Sequence, residues 1–169
     1  GESESFALRG LGLGIAGTYT SQTGTTAQPL LPVLRTPAQS TFFRYRTGTT
    51  PTLADGERTR LAPQLYYYVG RFGLLGEYTT VSQDVSRTTT AGRREDTLDT
   101  TAWQVQASWF LTGEEESFRG FKPNNVFSLV DNTWGAFELV ARYQELDPDD
   151  DAFVGGAAQM ILCTLPIYF

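Results

Sequence analysis

Residues 58–80, RTRLAPQLYYYVGRFGLLGEYTT, sort by parity into two unlike sets. Leu61, Pro63, Leu65, Tyr67 and Val69 alternate with Arg58, Arg60, Gln64, Tyr66 and Tyr68. After Gly70-Arg71, Phe72, Leu74 and Tyr78 stand against Glu77 and Thr79. Period two marks a strand with two different faces. A two-residue turn at Gly70-Arg71 sets Val69 against Phe72, Tyr67 against Leu74, Pro63 against Tyr78 and Gln64 against Glu77. The two strands, read separately, therefore agree on which side is apolar. Pro63 has no N–H to donate to a ladder, which predicts a weakened or bulged position there. Such an apolar face can meet another apolar sheet, as in a soluble sandwich, or lipid, as in a membrane barrel.

The same alternation recurs along the chain. Residues 6–22 set Leu11, Leu13, Ile15 and Tyr19 against Gly10, Gly12, Gly14 and Thr18, and residues 41–47 set Phe43 and Tyr45 against Phe42, Arg44 and Arg46. Residues 101–112 set Trp103, Val105, Ala107, Trp109 and Leu111 against Gln104, Gln106, Ser108 and Thr112. Residues 134–146 set Phe137, Leu139, Ala141 and Tyr143 against Glu138, Arg142 and Gln144. Helical periodicity is nearly absent, so the expected fold class is all-β, in one domain over residues 1–169. Residues 27–39, 47–57, 86–100, 113–133 and 147–151 read as polar, Pro-rich or acidic connections.

Composition narrows the function. No apolar run approaches the ~20 residues of a membrane helix, so any crossing must use strands. A net charge of −6 argues against nucleic acid, whose phosphates need clustered Lys and Arg. The chain has no His and one Cys, Cys163, which reads as a small buried hydrophobe. The carboxylates at 114–116 and 147–151 have no His or Cys beside them and lack the ordered spacing of a Ca²⁺ loop, so they read as solvated charge. The GLGLG run lies inside a strand with no helix after it, which excludes a phosphate-cradling loop; its glycines let strands bend or keep a lumen open. No catalysis, metal or cofactor is expected. Residues 1–10 carry no secretory leader pattern.

The two faces differ in what they can tolerate. Tyr19, Tyr67, Trp103, Trp109 and Tyr143 gather toward the ends of the apolar face, like the interfacial girdles of membrane barrels. The other face holds Arg44, Arg46, Arg58, Arg60, Glu77, Glu138 and Arg142. Burying even one isolated charge costs several kcal/mol against a total stability of about 5–15 kcal/mol, so that face must be wet. Alternation favours a membrane barrel and leaves a soluble sandwich open.

The residues also resemble a family. LRGLGLGIAGT, RTPAQSTFFRY, ADGERTRLAPQLYYYVGRFGLLGEYT, AWQVQASWFLTGEEESFRGFKP and WGAFELVARYQELDPDDDAF, spread over about residues 8–153, are similar to blocks of the phosphate-selective porins O and P of the bacterial outer membrane. The resemblance implies an antiparallel sixteen-stranded transmembrane β-barrel. It implies a homotrimer in outer-membrane lipid that passes inorganic anions such as phosphate or polyphosphate through an arginine-lined channel. The family's chain is more than twice as long and carries its constriction loop in the first half, so this chain reads as a C-terminal part. Residues 154–169 alternate poorly, contain Pro166 and read as divergent, though Phe169 is similar to the terminal aromatic of such barrels.

Within that frame the candidate pore-lining, anion-binding residues are Arg44, Arg46, Arg58, Arg60 and Arg142, chosen by parity. Guanidinium forks match phosphate oxygens, and several weak sites in series admit an anion without trapping it. The competing reading is that these arginines pair with Glu77, Glu138 or loop carboxylates and hold the wall together. Arg9 falls on the lipid-facing parity and is expected to snorkel at the rim, while Arg119 and Lys122 read as solvated. The alternative function is a non-catalytic structural or interaction protein, derived from half a porin barrel and completed by partner chains.

Overall fold

The computed structural model describes residues 10–36, 39–154 and 158–160; Arg9, Cys163 and Phe169 lie outside the described residues. The elements in chain order are β1 (Leu11–Thr23), β2 (Val33–Arg35), β3 (Thr41–Tyr45), β4 (Thr52–Val69), β5 (Phe72–Thr89), β6 (Gly92–Phe110), β7 (Glu138–Asp147), the single helical turn α1 (Asp151–Val154) and β8 (Ala158–Met160). One sheet runs β1-β4-β5-β6-β7 and a smaller one β2-β3-β8. The class is all-β and antiparallel as expected, and the five-stranded sheet is not closed on itself.

Residues group into two compact units, and β1, β4, β5 and β6 supply residues to both. In the first unit (residues 10–16, 61–79 and 102–146), the expected hairpin is present. Gly70-Arg71 is the turn, with Gly70 at φ +55°, a conformation glycine adopts without steric cost. The Tyr68 N–H donates to the Gly10 carbonyl at 2.9 Å, while Gly12 lies against Tyr66 and Gly14 against Gln64, a falling register that makes β1 and β4 antiparallel. The glycines of GLGLG have a definite use here. A Cβ on Gly12 would sit 2.0 Å from the Tyr66 ring, so the bare backbone of β1 makes room for the large side chains of β4.

The burial alternation in this unit is inverted relative to a soluble sheet. On β6, Trp103, Val105, Ala107 and Trp109 are exposed, while Gln104 and Gln106 are half-buried and Ser108 is buried. On β1, Leu13 and Ile15 are 73 % and 74 % exposed, while Gly12 and Gly14 between them are half-buried. Among the described residues, the apolar faces of β1, β4, β5 and β6 are left largely bare, with Leu61, Leu65, Val69, Phe72, Leu74 and Tyr78 all exposed. Of the expected girdle residues in this unit, Trp103, Trp109 and Tyr143 are exposed while Tyr67 is half-buried, with Phe72 stacked on Trp109 at 5.7 Å and Trp103 tilted against Tyr143 at 5.2 Å. Tyr19, in the second unit, is exposed. From residue 61 to 69 and from 103 to 111 the apolar band is nine positions long, close to the ~9–11 residues of a membrane-crossing strand.

The second unit (residues 17–36, 39–60, 80–101, 147–154 and 158–160) has a small conventional core instead. Phe43 (1 % exposed), Tyr45, Val85, Leu98 and Ala152 pack together, with Leu31, Leu34 and Phe42 against them. Phe43 and Tyr45 meet edge to face at 5.2 Å. The parity read for residues 41–47 is therefore correct in its alternation but not in its setting. β3 is a five-residue strand paired with β2 and β8, and its apolar side faces protein.

Two further expectations are corrected. Residues 86–100 and 52–57 are not connections: β5 runs to Thr89, β6 starts at Gly92, and β4 starts at Thr52. These extensions are polar on both faces, as in SRTTT and GRREDT, so the hydrophobic period vanishes while the β-favouring threonines remain. The acidic run is not all solvated either. Asp149 accepts the Asp99 N–H at 2.8 Å and the Asp151 N–H at 2.9 Å, tying α1 to β6.

The lipid assignment of the apolar face gives a direct test on one strand. Leu65→Arg, at the centre of the β4 band, is expected to destabilise folding into phospholipid vesicles by about 2–4 kcal/mol. Thr59→Arg, on the same parity but outside the band, should cost about 0–1 kcal/mol. Urea titrations of both variants in vesicles measure this; equal costs would contradict the assignment.

Candidate channel-lining surface

Opposite the apolar band, in the first unit, the sheet presents Tyr66 and Tyr68 on β4, Gly73 and Glu77 on β5, Gln104 and Ser108 on β6 and Glu138 and Arg142 on β7. Glu77 accepts from the Gln104 amide, the cross-strand partner on β6 that the two-residue turn at Thr90-Ala91 dictates. Gly73 leaves space in which Ser108, Tyr68 and Glu116 meet, since a Cβ there would stand 2.5–2.8 Å from atoms of all three.

Glu116 belongs to the segment after β6, which sequence reasoning assigned wholly to solvent. Part of it lies on this polar face. The Glu116 N–H donates to the Gly70 carbonyl at 2.7 Å, Phe118 stacks on Tyr66 (4.8 Å between rings, 13° between planes), and Phe121 packs on the buried Phe110 at 4.4 Å. Glu114, 3 % exposed, closes the segment on itself by accepting from the Thr112 hydroxyl and from the Asn124 N–H at 3.2 Å. Thr112 in turn accepts the Phe137 N–H at 2.9 Å, so one hydroxyl joins both ends of the excursion. The phenylalanines of ESFRGF carried the available signal: Phe118 and Phe121 match the aromatics Tyr66 and Phe110. Arg119 and Lys122 are exposed, in line with the solvated reading.

Two carboxyls in this segment are pushed in opposite directions. The Thr112 hydroxyl, helped by the Asn124 N–H and the Arg71 guanidinium, holds Glu114 below the usual carboxylate range. Burial, then the charge of Glu138, pushes Glu116 above it, against an opposing hydrogen bond with Ser108.

The five candidate arginines fall in three places. Arg58 and Arg60 stand together on β4 in the second unit, within electrostatic reach of one another, and Tyr45 faces Arg58. Arg58 is half-buried and its Nε is buried without a hydrogen-bond partner, whereas Arg60 is exposed. Arg44 and Arg46 are exposed at β3, on the side opposite Phe43 and Tyr45. Arg142 is exposed on β7 in the first unit, four positions from Glu138. The ion pairs joining described side chains lie elsewhere, from Arg93 to Asp55 and to Glu95 at 2.7 Å.

Because an aromatic pair contributes about 0.5–1.5 kcal/mol, Phe118→Ala should lower hydrogen-exchange protection of the Glu116 amide roughly 2- to 10-fold. A depressed carboxyl stabilises above its ordinary pKa and loses that contribution as pH falls through the lower folded value. Protection of the Asn124 amide, corrected for intrinsic exchange, should therefore persist into the ordinary carboxylate range and collapse below it. In Thr112→Ala the collapse should come at higher pH.

A family model, phosphate-selective porin O and P, matches residues 10–168, nearly the whole chain and past the point at which the sequence blocks end. No curated protein and no solved structure matches the chain. Membership points to a channel rather than an enzyme. With the outward apolar band and the polar opposite face, the match makes the chain a member of the phosphate-selective porin O and P family.

Proposed function

We propose that this chain forms part of the wall of an anion channel in the bacterial outer membrane, trimeric in its intact form, with phosphate or polyphosphate as the favoured class of cargo. The observation that carries the reading is the inverted alternation of β1, β4, β5 and β6 in a chain of the porin family. An apolar face left bare demands lipid, and the polar face opposite it then borders water. Arg58 and Arg60 are the principal anion contacts in this reading, and Arg44, Arg46 and Arg142 are further ones. Support for the pair comes from the buried Arg58 Nε, a donor without a partner among the described residues, next to a second guanidinium. An unpartnered buried donor is costly, and an oxyanion accepting from it would remove that cost. Several exposed arginines rather than one deep cage suit conduction, which needs binding weak enough for release.

Reversal potentials in a salt gradient, and block of chloride current by added phosphate, test this on the intact protein in planar bilayers. Wild type should prefer anions, with phosphate reducing chloride current. A hydrogen bond to a charged group contributes about 1.5–3 kcal/mol, so Arg58→Ala/Arg60→Ala should weaken phosphate block roughly tenfold or more. Arg44→Ala/Arg46→Ala serves as the second pair. Unaltered selectivity and block in both doubles would overturn the arginine assignment.

A further inference from the structure

The polar face of the first unit carries a feature that an anion pathway does not call for. Glu116 and Glu138 approach closely enough to repel, and no cation pairs with Glu116 among the described residues. Its Oε2 is buried without a hydrogen-bond partner among the described residues. Around it stand Tyr68 from β4, Ser108 from β6 and Glu138 from β7, with Glu115 beside it in the chain. The Arg71 guanidinium stands against Gly113 and acts on Glu114. Position is fixed from three sides: the Glu116 amide is held by the Gly70 carbonyl, Phe118 by Tyr66, and the vacancy at Gly73 admits the Glu116 side chain.

We propose that Glu116 and Glu138 are selectivity-determining residues, a carboxylate pair that lowers anion occupancy beside the 70–71 turn and so speeds release from the arginine sites. This rests on the reading of the polar face as channel wall. Negative charge fixed within a Debye length of the path lowers local anion concentration. The pair would hold down the residence of phosphate, and with it self-block, while the arginines supply capture. Both are carried by elements that the sheet itself orients, Glu138 at the first residue of β7 and Glu116 through its backbone bond to the turn.

The test uses the intact protein in planar bilayers with potassium chloride gradients and added inorganic phosphate. Glu116→Gln and Glu138→Gln are each expected to raise the anion-to-cation permeability ratio roughly fivefold, because one charge about 8 Å from the path in water changes anion and cation occupancy roughly two- to threefold each, in opposite senses. Phosphate dwell times should lengthen in both. Acidification should move wild type toward the Glu116→Gln value and leave Glu116→Gln less responsive, a pH dependence that a merely structural glutamate would not produce. Glu138→Gln, at an exposed strand end, keeps the test open if the Glu116 variant folds poorly. A wild-type channel that conducts without anion preference would defeat the functional reading alone, because removal of the pair would still have to lower cation permeability. Permeability ratios and dwell times unaltered in both variants and across pH would overturn the role of the pair.

Discussion

Everything in this chain depends on backbone hydrogen bonds that hold a sheet together while one of its faces stays apolar and bare. Lipid accepts leucine and tryptophan without cost but offers no partner to an N–H or C=O, so an apolar outer face is tenable only where strands pair without interruption. The chain meets that demand with long strands and minimal turns: β4, β5 and β6 have 18, 18 and 19 residues and are joined by two-residue connections. Pro63 is the exception built into the band, and β4 nevertheless continues through it from Thr52 to Val69. Its missing donor weakens one rung of the ladder without breaking the strand, because the pairs on either side fix the register.

With the apolar side left bare, packing must be solved on the polar side, and the solution is small residues against large. β1 contributes backbone at Gly12 and Gly14, β4 contributes Tyr66 and Gln64 to the vacated space, and Gly73 does the same for Tyr68, Ser108 and Glu116. Aromatic rings thus occupy the side that a soluble sheet would give to solvent. That in turn creates a surface to which another aromatic segment can adhere. Phe118 on Tyr66 and Phe121 on Phe110 are the consequence, and the Glu114 carboxylate with its Thr112 partner closes the fold of the segment.

The band was legible because period two is visible wherever one face is apolar and the other is not. The hairpin about Gly70-Arg71 could be placed to the residue, since two independently read strands had to agree. Residues 86–100 escaped because both faces there are polar: Asp84 accepts from Thr97 on one side of a strand pair with no hydrophobic stripe to announce it. β3 misled for the converse reason. Phe43 and Tyr45 alternate as a wall strand would, and nothing local distinguishes a face that meets lipid from one that meets β5 and α1 residues. The inward segment was hidden by composition, since EEES and NN read as solvent until the partners of Phe118 and Phe121 are known. Of the arginines, spacing correctly paired Arg58 with Arg60 but could not separate the β4 pair from the β3 pair.

A chain of net charge −6 is an odd wall for an anion path only if charge is counted over the whole molecule. In the second unit, Asp55 and Glu95 are taken up by Arg93, and Glu57 and Asp84 by Tyr19, Thr97 and a backbone N–H. These acids fall on the strand parity that carries the apolar band in the first unit, away from the face that holds Arg58 and Arg60. Among the described residues, the strand carboxylates on the polar parity are Glu77, bound to Gln104, Asp96 on β6, and Glu138, which is joined there by Glu116. Field along a path decays over about 10 Å at ordinary ionic strength, so an acid on the far face of a strand counts for little and one beside the path counts for much. Parity, which decides what a residue touches, therefore also decides which charges an ion would feel.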